Sequence, residues 1–170
     1  MTAARQLRHR QSMKISKYSR YQAAEDILGV LLRRVSGLWR RRLNEELAKV
    51  DLTEMQFVLL LAIAWKTQEA RHITQAQLGQ HAKVHKALLS QVMKTLVRKG
   101  LVVHSDSEDS RTRSLRLSAR GNAKARKALK ILERTEEAFW ADIPDLATRL
   151  RKDLGQILKA KGEEPEAAES

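Results

Sequence analysis

The chain has 170 residues, which suits one domain, and 42% of them are hydrophobic but only 4% aromatic, so a core must be filled by Leu, Val, Ile and Ala, a mix that favours helices. Its 33 Lys and Arg against 20 Asp and Glu leave a formal charge of +13, a self-repelling balance that suits an anionic partner, nucleic acid ahead of an acidic membrane surface. The absence of cysteine excludes disulfides, thiolate metal sites and thiol redox sensing and fits a reducing cytoplasm, and no apolar run approaches the roughly 20 residues that span a bilayer.

Residues 1–24 read as a basic arm: Arg5, Arg8, Arg10, Lys14, Lys17 and Arg20 stand with no acid among the first 20 residues and without the apolar stretch of a secretory signal. From Glu25 to Val50, the residues Ile27, Leu28, Leu31, Val35, Leu38, Trp39, Leu43 and Leu47 recur at three- and four-residue steps. That is the stripe of one long helix, fringed by Arg33, Arg34, Arg40, Arg41 and Arg42. Thr53, with Gln56 three residues on, is a capping box that starts a second helix; Phe57, Leu59, Leu60, Leu61 and Ile63 are apolar nearly all round it, which predicts a central position. Thr74 with Gln77 repeats the signature and opens a short third helix to about His81. After a turn at Ala82 to Val84, Leu88, Leu89, Val92, Met93, Leu96 and Val97 keep helical spacing as far as Lys99 and Gly100, where glycine can take the left-handed conformation that ends helices.

The period then changes. Leu101 to Val103 and Ser114 to Ser118 read as two short strands around a charged stretch from Asp106 to Arg113, a hairpin whose loop is longer than tight turning requires. Ser118 can cap a further helix through Ala123, Ala125, Ala128, Leu129, Leu132, Phe139 and Trp140. Pro144 stands near a first-turn position of a last helix carrying Leu146, Leu150, Leu154 and Ile157. Residues 162–170 are acidic and poor in large apolar side chains, a tail expected to be disordered.

The expected fold is mainly α, in the α+β class, a single domain over residues 25–161 with a winged helix-turn-helix lobe over 51–121. A short helix, a tight turn, a second helix and a basic hairpin are the parts of that lobe, whose second helix enters the major groove while the first braces it. Ten basic side chains against three acidic ones lie between Arg71 and Gly121, so the charge is concentrated there. Off the apolar stripe of the recognition helix stand His85, Lys86, Ala87, Ser90, Gln91 and Lys94. Gln91 can pair with adenine, and Lys86 and Lys94 can serve guanine or phosphate. The alternative is an ordinary polar outer face. Nothing resembling a nucleophile, base and orienting group stands at motif spacing, so the chain reads as no enzyme and implies no cofactor. His81 and His85 across the turn lack the further ligands a zinc site needs.

Asp109-Ser110-Arg111 followed by Leu117-Ser118-Ala119-Arg120-Gly121 resembles the DxR and L-[TS]-x-x-G wing signature of MarR-type regulators. Leu52-Thr53-x-x-Gln56 is similar to that family's LTxxQ, and Thr74-Gln75-x-x-Leu78 to its TxxxLA. The resemblance runs from about Glu25 to Lys161. It implies a homodimer on a palindromic double-stranded operator, the helices over 25–50 and 122–161 of both copies interlocking. It also implies that Arg111 enters the minor groove and that Asp109 orients the wing through an ion pair; Arg113, in the same basic loop, is a further candidate DNA contact. This chain departs from the family at the start of the recognition helix, where His85-Lys86-Ala87-Leu88 replaces the acidic cap of Asp-Arg-Ser-Thr. Base preference therefore does not carry over, and a protonated His85 beside phosphate would tighten binding at low pH.

The family further suggests a repressor released by a small aromatic acid or phenol. Trp39, Arg40 and Trp65 are the residues that could stack on such an effector and pair its charge, with a core or dimer-interface tryptophan as the plainer alternative. A sequence-tolerant, nucleoid-type architectural DNA binder is the other function the composition permits.

Overall fold

The computed structural model describes residues 18–69, 73–105 and 114–163. The chain separates into two units, Met1–Leu38 and Trp39–Ser170. In the first, a 3-10 turn at Ala24–Asp26 precedes the helix. The Asp26 carboxylate accepts the backbone N–H of Gln22 and of Ala23, each at 2.8 Å, and Ile27 is extended. The aspartate thus closes its own turn, and the helix expected from Glu25 starts at Leu28 instead. This helix, α1 (Leu28–Ala48), runs on through the boundary between the units. Leu28, Leu31, Leu32, Val35 and Leu38 are all exposed along it.

The second unit begins with the rest of α1, whose Leu43 and Leu47 are buried. A turn at Asp51, which has a positive φ of 54°, leads to α2 (Glu54–Glu69). The capping box forms as its residues suggest: Gln56 N–H donates to Thr53 Oγ1 at 3.2 Å, and Thr53 N–H to Gln56 Oε1 at 3.3 Å. Phe57, Leu59, Leu60 and Ile63 of α2 are essentially inaccessible, and α2 packs against α3, α4, α5 and the sheet. Burying each such side chain contributes roughly 1.5–3 kcal/mol, so the helix that is apolar all round organises the core.

There follow β1 (Ile73–Thr74), α3 (Gln75–His81), α4 (Lys86–Arg98), β2 (Val102–Ser105), β3 (Ser114–Leu117), α5 (Ala119–Trp140) and α6 (Pro144–Ala160). The strands form one antiparallel sheet in the order β1-β3-β2, with Ile73 opposite Leu115 and Val102 opposite Leu117. The predicted hairpin is therefore present, and β1 adds a third strand that the sequence reading lacked. Thr74 both pairs with Ser114 and caps α3, so this strand is too short for alternation to reveal. Gly100, at φ 66°, ends α4 as expected.

Ser118 joins three elements. Its Oγ accepts the N–H of Gly121 at 2.9 Å as the cap of α5 and donates to the carbonyl of Gly100 at 2.7 Å, while its N–H donates to the carbonyl of Leu101 at 3.0 Å. Along α5, the carboxylate of Glu136 takes both indole N–H groups of its surroundings, from Trp39 of α1 and, at 3.0 Å, from Trp140. Pro144 occupies the first turn of α6, where its missing N–H costs nothing. Leu146, Leu154, Ile157 and Leu158 of α6 are exposed.

Candidate nucleic-acid interface

The helix-turn-helix is built from short-range bonds. Thr74 Oγ1 accepts the N–H of Gln77 at 3.2 Å, and Gln77 Oε1 accepts the N–H of Thr74 at 2.9 Å, which fixes the start of α3. Leu78 anchors this helix in the core. The turn closes through Val84 N–H to the carbonyl of Gly79 at 3.1 Å, with Lys83 in the left-handed region at φ 49°. A Cβ added at Gly79 would lie 2.9 Å from a methyl of Leu89, so the glycine lets α3 and α4 approach closely. The side chain of Lys83 pairs with Glu163, which follows α6.

Leu89, Met93 and Leu96 bury one side of α4. His85, Lys86, Ala87, Gln91 and Lys94 are exposed, so the structure brings these candidate DNA-contact residues onto one solvent-facing side. His85 occupies the cap position without offering a side-chain hydrogen bond, in line with the loss of the acidic cap. Neither Lys86, Lys94 nor Arg98 forms an ion pair with a described residue, and their charge is available to an anion. Ser90 differs from the others: it is half-buried, and its Oγ accepts from Nε2 of Gln75, the first residue of α3, at 3.1 Å.

Two clefts flank this pair. One, of about 370 Å³, runs toward β2 and is lined by Ser90, Lys94, Arg98 and His104. The other, of about 500 Å³, lies between α3 and the start of α4 beside His85 and Lys86. Gln75 lines both. The sequence reading missed Gln75, Arg98 and His104; the first follows a cap residue directly, a position that gives no hint of reaching another helix.

Not every lysine in or beside the lobe is available to a partner. Lys99 Nζ donates to the carbonyl of Asp51 at 2.7 Å and to its carboxylate at 2.9 Å, and Lys124 Nζ donates to the carbonyl of Val50 at 2.8 Å. Both close the turn between α1 and α2. The Lys99 ammonium, first by its hydrogen bond and then by its charge, holds the Asp51 carboxyl below the ordinary carboxylate range, with smaller help from Lys124 and Arg120.

Asp109, Arg111 and Arg113, expected on the wing, lie outside the described residues. Of the candidate effector residues, Trp39 and Arg40 are neighbours on α1. Trp39 donates to Glu136, and Arg40 Nε donates to Glu54 at 2.7 Å. Trp65 is 54% exposed and stands on α2 eleven residues after Glu54. At 1.5 Å per residue that is about 16 Å along the axis from the carboxylate that holds Arg40. Among the described residues, no group of three or more His, Asp or Glu is arranged to hold a metal ion. No helix among them is long and apolar enough to cross a membrane.

The model of the MarR family matches residues 50–112. The uncharacterized HTH-type transcriptional regulator YdcH of Bacillus subtilis (strain 168) is 31% identical over 125 residues, which span 73% of this chain and 85% of that protein. Wild-type MarR from E. coli in its apo form superposes with a TM-score of 0.66 at 26% identity, covering 78% of this chain and 97% of the other. A cysteine-to-serine mutant of MarR from E. coli complexed with operator DNA gives a TM-score of 0.68 at 27% identity, covering 79% and 96%. A probable transcriptional regulator from Pseudomonas aeruginosa shares the fold, with a TM-score of 0.68 at 23% identity over 79% and 99% of the two chains.

Proposed function

Because the chain belongs to the MarR family of winged-helix transcriptional regulators, we propose that it binds double-stranded DNA sequence-specifically, as a homodimer on a palindromic operator. The observation that carries this is the outer side of α4, where His85, Lys86, Gln91 and Lys94 are exposed together and neither lysine forms an ion pair with a described residue. A helix so placed can offer base-reading amides and phosphate-binding cations at once. A 27% identical relative of the same fold has been seen complexed with operator DNA, which supports the same use of this surface.

The second copy is supported by what one copy leaves uncovered. Leucines and a valine of α1 are exposed in one unit, and Leu146, Leu154, Ile157 and Leu158 of α6 in the other. Apolar side chains in such number are normally covered by a partner, and the helices over 25–50 and 122–161 would supply the dimer contacts. On this reading the protein is a repressor, Arg111 enters the minor groove, Arg113 adds a further contact to DNA, Asp109 orients the wing, and a small aromatic acid near Trp39, Arg40 and Trp65 releases the DNA.

Footprinting on fragments selected from the source genome tests the DNA reading. A discrete protected palindrome is expected; continuous coverage indifferent to sequence would make the protein an architectural binder. Light scattering checks the dimer, and quenching of tryptophan fluorescence by benzoate-like acids checks the effector.

A further inference from the structure

We propose that Gln75 is a specificity-determining residue: together with Ser90 it reads an acceptor beside a donor on a base edge, the pattern that adenine presents in the major groove. The inference rests on the DNA-binding reading above and names one of its contacts.

The Gln75 amide donates through Nε2 to Ser90 Oγ at 3.1 Å. A serine hydroxyl on a recognition helix ordinarily rotates and serves donors and acceptors alike, which makes it a poor discriminator. Here one lone pair is occupied from α3, so the Ser90 O–H points away from Gln75 and is free to donate to a partner. The Gln75 Oε1, which the amide holds opposite Nε2, is left as an acceptor. No described residue takes the Ser90 proton or donates to that Oε1. Since no buried polar side-chain atom lacks a partner, the unpaired Gln75 Oε1 is reachable from solvent, and half-buried Ser90 lines the cleft beside Lys94. A donor next to an acceptor matches the adenine N7 and N6–H₂.

Position supports chemistry. Lys86, Ser90 and Lys94 follow one another at four-residue steps and therefore share one face of α4. Gln75 reaches this stripe at its middle, between the cleft beside Lys86 and the cleft beside Lys94. Cations at both ends can hold phosphates while the neutral pair between them meets a base.

The test is site selection by the full-length protein from random duplexes, followed by affinity measurements on the selected site. Gln75→Met keeps the side chain's length and removes its hydrogen bonds; Ser90→Ala removes the hydroxyl. Each is expected to lose the adenine preference at one position of each half-site, to bind the selected site about tenfold more weakly, and to leave other positions unchanged. The double variant should lose no more than either single one, because the pair acts as a unit. Replacing that adenine by 7-deazaadenine, which removes the N7 acceptor, should weaken the wild type and leave Ser90→Ala unaffected. Unchanged preferences in both variants, or a loss spread equally over all sequences, overturns the inference while leaving the DNA-binding function intact. A wild-type protein that selects no sequence overturns the function itself.

Discussion

Gly121 of α5 lies so close to the backbone of Leu101 that a Cβ added there would overlap the Leu101 carbonyl oxygen and stand 2.9 Å from its carbonyl carbon. The same oxygen accepts the N–H of Ser118, whose hydroxyl caps Gly121. The Leu-Ser-x-x-Gly spacing at residues 117–121 thereby acquires a physical meaning: the serine pulls the helix start onto the strand entry, and only glycine permits the approach.

Gly121→Ala should accordingly cost about 1–3 kcal/mol, as overpacking does, and fall at the upper end because the obstacle is backbone and not a flexible side chain. Urea unfolding would show it as a lower midpoint. A variant as stable as the parent would mean that α5 does not start where it is placed.

Asp51 predicts a pH effect. Its carboxyl is held below the usual range by Lys99, so its contribution is complete above about pH 4, the unfolded value, and disappears as pH falls through the lower folded value. Asparagine tolerates the positive φ at this position, so Asp51→Asn removes the charge without straining the turn. The variant should be the less stable of the two at neutral pH, and the gap should close as the solution is acidified below pH 4. A gap that is constant with pH would assign the loss to something other than the ion pair.

Glu136 holds two indoles, and Glu136→Ala leaves both N–H groups without their acceptor. Hydrogen bonds to a charged group contribute roughly 1.5–3 kcal/mol each when buried, less at this half-exposed position, so a loss of about 1–3 kcal/mol in total is expected. Tryptophan emission should shift to the red as water reaches Trp39. Comparing Trp39→Phe, Glu136→Gln and the double variant in a mutant cycle separates the pair from the packing of the rings.

Lys94 and Lys99, five residues apart, should behave oppositely. Lys94→Ala removes a free cation from the proposed interface and should lower the slope of log affinity against log salt by about 1, with stability unchanged. Lys99→Ala should leave that slope alone and lower the unfolding midpoint, because its ammonium closes the Asp51 turn. The reverse pattern would place the interface elsewhere.

What could be read from residues alone follows the range of the forces involved. The caps at Thr53 and Thr74 span three residues each, the apolar circumference of α2 needs no partner to be seen, and Gly100 carries its own backbone preference. Ala87, Gln91 and Lys94 could be placed outward because Leu89, Met93 and Leu96 had to point inward. Contacts that join distant stretches were hidden. Nothing near Gln75 announces Ser90, nothing near Lys99 announces Asp51, and the pairing of Ile73 with Leu115 depends on a strand two residues long. Asp26, read as part of a helix, instead folds a turn of its own by accepting the N–H groups of Gln22 and Ala23.

The junction at Ser118 also has a mechanical side. α5 has 22 residues and, at 1.5 Å per residue, forms a rod about 33 Å long whose near end is fastened to the hairpin's first strand. A rod so mounted is a lever: pivoting it by about 5° swings the Trp140 end through about 3 Å, and the converse holds for force applied there. By the same geometry, a displacement of about 3 Å at the far end corresponds to a rotation of only about 5° at the root of the hairpin.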